Sequence, residues 1–154
     1  MATVWRIGVE AAQFPAHDLS GMGAKRSGGR WNSAGVAVVY SSSCIALAWL
    51  ETLSHLAAGD VPYNRYIVRI DIPDALWQTR ATLTPPGGWD AIPPGVTSRA
   101  AGDRWCAAND ALLLAVPSVL IPEESNVLIN PRHRDAGALA ATTVRRLAFD
   151  PRGR

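Results

Sequence analysis

Five side chains have types that sit oddly with their neighbours, and each has a chemistry to offer. Glu51 follows Leu47-Ala48-Trp49-Leu50, about two turns into an apolar helix. A carboxylate there is costly unless something pairs with it. It reads either as a charge kept for catalysis or as an exposed helix residue paired with His55 at i+4. Arg30 ends the run Gly28-Gly29-Arg30 and precedes Trp31 and Asn32. The glycines would let backbone approach a ligand while the guanidinium grips a phosphate or ribose; the alternative is an arginine stacked on Trp31. Tyr40 ends an apolar strand, as a ligand contact or as a core residue with a satisfied hydroxyl. Arg6, between Trp5 and Ile7, suits a cleft or solvent. Ser118 interrupts Val116-Pro117-Ser118-Val119, as a site hydroxyl or as one bonded to nearby backbone. Asn126 and Asn130 read as turn-forming side chains.

Better-known motifs are absent. Gly21-Met22-Gly23-Ala24-Lys25-Arg26 places Arg where a dinucleotide fingerprint needs its third glycine, and Lys25 lacks the flanking residues of a P-loop. His17, His55 and His133 have no metal-ligand spacing among themselves or with the cysteines, so no metal is expected. No Gly-x-Ser-x-Gly elbow occurs.

The elements that must position these side chains follow from period and punctuation. Residues 3–9 alternate as a first strand, and a Gly/Ser-rich connection runs over 10–29. Residues 36–41 form a second strand. Ser42 or Ser43 then caps a helix over 43–58, with Gly59 to end it. Residues 63–72 alternate as a third strand that Pro73 stops. Four prolines and three glycines between 81 and 98 predict an irregular loop. Thr97 or Ser98 caps a second helix through Ala115, before strands at 116–121 and 127–129 and a tail with a short helix and a last strand. Strands interleaved with two substantial helices predict an α+β or mixed α/β arrangement.

The chain has 154 residues, 48% apolar and 18% charged, which suits one domain over residues 1–154 with its own core. Cys44 and Cys106 read as buried thiols of a reducing compartment. The start of the chain lacks a secretory pattern, and the most apolar stretch, 111–122, is too short to cross a bilayer. A cytoplasmic protein without membrane contact is expected. Net charge is only +2, carried by fourteen arginines and Lys25 without a basic cluster, so direct nucleic-acid binding is disfavoured.

In order along the chain, Trp5-Arg6, Gly29-Arg30-Trp31-Asn32, Tyr40, Glu51, Gly102-Asp103-Arg104-Trp105, Val116-Pro117-Ser118 and the stretch from Asn126 to His133 resemble the RES domain. That family is the toxin half of RES–Xre toxin–antitoxin pairs. The resemblance implies an ADP-ribosyltransferase-like split β-sheet with flanking helices and NAD+ in the cleft, as substrate rather than cofactor. It implies catalytic roles for Arg30, Tyr40 and Glu51, and NAD+ contacts for Arg6, Arg30, Tyr40 and Ser118. It also implies an Xre-family antitoxin as partner, with DNA reached only through it; a homodimer is compatible with the sequence.

Such a set suits cleavage of the nicotinamide–ribose bond, where the sugar carbon becomes oxocarbenium-like and Glu51 stabilises the developing charge. The expected activity is NAD+ degradation. The alternatives are ADP-ribosyl transfer to a protein, and a non-catalytic interaction module whose cleft a partner fills.

Overall fold

Along strands of this chain, neighbouring residues go to opposite cores. Leu113, Val127 and Ile129 join one cluster with Val4, Val39, Val68, Ile70 and Ile72. Leu114, Val116 and Leu128 join another with Val38, Trp31, Ala101 and Cys106. A strand whose side chains alternate in this way separates two buried layers. The protein is described from a computed structural model covering residues 1–57, 59–60, 62–148 and 150.

Its elements in chain order are β1 (Ala2–Gly8), α1 (Met22–Ser27), β2 (Val39–Ser42), α2 (Ile45–Ser54), β3 (Tyr66–Ile72), α3 (Asp74–Gln78), β4 (Ala81–Thr82), α4 (Val96–Ala108), β5 (Leu113–Pro117), β6 (Ser125–Ile129) and β7 (Ala140–Arg146). A 3-10 turn, Ala136–Ala138, precedes β7. The strands join in one sheet of order β4-β5-β6-β2-β1-β3-β7, antiparallel except for β4 with β5. This is the α+β architecture expected, and it is split. β1 pairs with β3 along all seven residues but meets β2 at a single register pair, Trp5 with Ser42. Beyond that pair the two strands part, and their diverging ends carry Arg6 and Tyr40.

Several boundaries differ from the sequence reading. The helix expected over 43–58 is α2, from Ile45 to Ser54, capped by the Cys44 sulfur, which accepts from the Leu47 N–H at 3.4 Å. Cys44 is therefore exposed rather than buried, whereas Cys106 is buried as expected. Ala58, the expected helix end, lies outside the described residues, as do residues 151–154 at the end of the expected domain. The helix expected from Thr97 or Ser98 through Ala115 is α4, which starts at Val96 after Gly95 and stops at Ala108, because Asn109 turns left-handed at φ 55°. The apolar run that follows is strand rather than helix, so the strands expected at 116–121 and 127–129 are Leu113–Pro117 and Ser125–Ile129. The proline-rich loop yields a two-residue strand at its start, paired in parallel with β5. The glycine-rich connection holds the short helix α1, missed because six residues give too little period to read. No helix among the described residues is long and apolar enough to cross a membrane.

Helix α4 is pressed onto the Arg30 turn. The backbone of Gly102 lies so close to the Trp31 carbonyl that a Cβ would collide with it. Asp103 accepts from the Ser33 N–H at 2.9 Å and from the Ser33 hydroxyl at 2.5 Å. Gly102→Ala should therefore cost at least about 1–3 kcal/mol of unfolding free energy in urea. Gly23→Ala, with nothing near the added methyl, should instead gain up to about 1 kcal/mol. Equal effects of the two would contradict the close approach.

Candidate active site

The cleft between the parted strands is a cavity of about 550 Å³, within the range of small-molecule sites. Arg6 from β1, Arg30 from the connection, Tyr40 from β2 and Glu51 from α2 all line it. The acidic, guanidinium and phenol groups singled out in the sequence thus line one cavity. Ser118 does not line the cavity; it is fully buried behind Glu51.

Helix α2 follows β2 after only two residues, so the strand's direction sets where the helix carries its side chains. Leu47 and Ala48 bury one face and hold Glu51 half-buried on the cavity side. The carboxylate is met by two donors. The Ser118 hydroxyl donates to Glu51 Oε1 at 2.7 Å and the Asn126 side-chain amide donates to the same oxygen at 2.8 Å. Ser42 in turn donates to Asn126 Oδ1 at 2.7 Å, which fixes which way the amide faces. Ser118 is oriented by accepting from the N–H groups of Leu120 and Ile121 at 3.1 and 3.3 Å. Both protein bonds fall on Oε1, so Oε2 retains its capacity to accept from an occupant of the cavity. The pairing of Glu51 with His55 takes another form: exposed His55 meets the Glu51 backbone carbonyl through Nδ1 at 2.6 Å and helps close the helix.

Tyr40 reaches the opposite part of the wall. Its hydroxyl donates to Asn32 Oδ1 at 2.6 Å and accepts from the Trp31 N–H at 3.1 Å. Fully buried Asn32 anchors that bond by donating to the carbonyls of Ala24 and Val36 at 2.9 and 3.0 Å. Gly29 is required here, because a Cβ would stand 2.8 Å from the Tyr40 hydroxyl oxygen. Burial pushes the phenol well above its ordinary range, with the Trp31 N–H partly opposing.

The two arginines are held differently. Arg30 donates through Nη1 to the carbonyls of Trp89 and Ala91 at 2.8 and 2.9 Å, tying the proline-rich loop to the cavity. It does not stack on Trp31, whose ring lies against Trp89 instead, with centroids 6.0 Å apart and planes 18° from parallel. Arg6 donates weakly to the Asp18 carbonyl at 3.4 Å, and its buried Nε finds no partner. Burial pushes its pKa below the usual guanidinium range, against the attraction of Asp18. The Arg6 guanidinium lines the cavity, where its N–H groups can donate to an anion.

Asn32, Ser42 and Asn126 complete the site and were not singled out as functional from the sequence. By sequence Asn126 has the character of a turn residue, and its role depends on a partner 75 positions away.

The RES domain family model matches residues 3–150. The chain is 50% identical over 151 residues to the Prs ADP-ribosylating toxin of Sphingobium sp. (strain YBL2), covering 96% of this chain and 94% of that one. It is 40% identical over 135 residues to the Toxin Res of Pseudomonas putida, covering 86% and 87%. It is 35% identical over 141 residues to the Toxin Res of Yersinia enterocolitica, covering 91% and 93%.

Two outcomes test this geometry. Ser118→Ala removes a buried hydroxyl used in three hydrogen bonds, and should lower stability by about 1–3 kcal/mol in urea unfolding. The raised Tyr40 pKa means that the native state keeps a proton the unfolded chain releases first. Its contribution to stability is therefore complete below about pH 10 and falls as pH rises further. Tyr40→Phe should lose less stability than the parent between neutral and strongly alkaline pH. Parallel pH profiles would contradict the burial of that phenol.

Proposed function

The chain belongs to the RES domain family, and on that premise we propose that it is a toxin that breaks the bond between nicotinamide and ribose in NAD+. The observation carrying this reading is Glu51, whose Oε1 is fixed by Ser118 and Asn126 while Oε2 stays available on the wall of the cavity. As the C–N bond breaks, its electron pair leaves with neutral nicotinamide and the sugar carbon acquires oxocarbenium character. A carboxylate that accepts from a ribose hydroxyl beside that carbon stabilises the charge without having to reorganise. Arg30 and Arg6 supply guanidinium groups for the pyrophosphate. With its hydroxyl committed to Asn32, Tyr40 offers ring surface along the dinucleotide between the nicotinamide ribose at Glu51 and the pyrophosphate at Arg30.

Water attacking the cationic carbon gives ADP-ribose and a proton, which is NAD+ degradation. A second reading, transfer of the ADP-ribosyl group to a protein side chain, is favoured by the name of the 50% identical relative, an ADP-ribosylating toxin. Both readings share the same bond cleavage and differ only in the acceptor. An antitoxin of the Xre family is the proposed protein partner, occupying the cleft and linking the toxin to DNA indirectly.

Purified chain mixed with NAD+ should release nicotinamide, measured by chromatography. Glu51→Gln keeps an oxygen for Ser118 and Asn126 but removes the charge, and should lower the rate about 10²–10³-fold with the fold intact. Unchanged turnover would remove Glu51 from the mechanism. Radiolabelled NAD+ incubated with protein substrates separates the acceptors: label retained on protein supports transfer, and free ADP-ribose alone supports hydrolysis.

A further inference from the structure

The proline-rich loop that Arg30 holds carries an unexplained side chain. Of the four most exposed large apolar residues among those described, Met1, Tyr63, Ile92 and Val96, only Ile92 lines the cavity. It is also the most exposed, at 84%. Its position is not left to a floppy loop: the carbonyl just before it, that of Ala91, is one of the two that Arg30 grips, and Trp89 is stacked on Trp31. An aliphatic side chain fixed at a cavity mouth and left in water gains most when an occupant covers it.

Which part of an occupant it meets follows from β2. Ser42, at one end, is opposite Asn126 and so belongs to the Glu51 end of the cavity. Tyr40, about 7 Å back along the strand, is opposite Leu128 and belongs with Trp31 and Arg30. Ile92 therefore enters from the end away from Glu51. Building on the NAD+ reading above, with the nicotinamide ribose at Glu51 and the pyrophosphate at the arginines, we propose that Ile92 is a specificity-determining residue that packs on the adenosine half of the dinucleotide. The site would then prefer ligands that extend past the pyrophosphate over mononucleotides that stop at it.

Calorimetric titration separates this from the catalytic reading. ADP-ribose, which has the adenosine half, is titrated onto the wild-type chain and its Ile92→Ser and Ile92→Leu variants. Nicotinamide mononucleotide, which lacks it, is titrated onto the same series in a Glu51→Gln background so that it is not consumed. Ile92→Ser should weaken ADP-ribose about tenfold, the scale of one buried aliphatic side chain, and leave the mononucleotide within about twofold. Ile92→Leu should retain the affinity for ADP-ribose. Unchanged ADP-ribose affinity, equal weakening of both ligands, or no ADP-ribose binding by the wild-type chain would each overturn the proposal. If ADP-ribose binding depends on Ile92 while the wild-type chain releases no nicotinamide, the assignment of Ile92 stands and the catalytic reading falls.

Discussion

A carboxylate on an apolar helix has to be reconciled with its surroundings, and here two neutral donors meet it at one oxygen. That choice has consequences. A guanidinium partner would have covered the carboxylate and neutralised it. The Ser118 hydroxyl and the Asn126 amide instead hold Glu51 in place without a countercharge and leave the second oxygen uncommitted. The donors come from β6 and from the residue following β5, so the uncommitted oxygen is located by the part of the sheet on the far side of β2 from β1.

The division between β1 and β2 gives that oxygen something to face. Seven residues of β1 are zipped to β3, and four of β2 to β6, while one register pair joins the two halves. Backbone groups freed from the ladder open a cleft, and the walls are lined by whatever the diverging strands carry: Arg6 on one side and Tyr40 on the other. The connection between them is stiffened by Asn32, Gly29 and the contact with α4, so that Arg30 is presented from an ordered turn although it belongs to no helix or strand. Arg30 then has two tasks, because the guanidinium that faces the cavity also anchors the loop bearing Ile92.

What the sequence made legible was local or ordered along the chain. β1 and β3 could be read from period, the helix bearing Glu51 from its serine cap and terminating glycine, the α+β class from their order, and the order of short motifs points to the RES domain. Long-range pairing was out of reach. Asn126 has the look of a turn residue until β6 registers it against Ser42, and nothing near Arg30 announces that its partners are carbonyls some 60 positions on. The extension of α4 through Ala115 fails for a different reason: a short apolar run fits helix or strand equally, and the decisive signal is Asn109, which adopts the left-handed backbone that ends the helix. Cys44 was misplaced because an apolar neighbourhood in sequence said nothing of its position at a helix start.

The place where a dinucleotide lies is tested most directly by a crystal structure of the Glu51→Gln chain with NAD+. A hydroxyl of the nicotinamide ribose is expected within hydrogen-bond distance of residue 51, with the pyrophosphate against Arg30 and Arg6. Density for NAD+ outside the cleft between β1 and β2, or with the nicotinamide ribose at the Arg30 end, would contradict it.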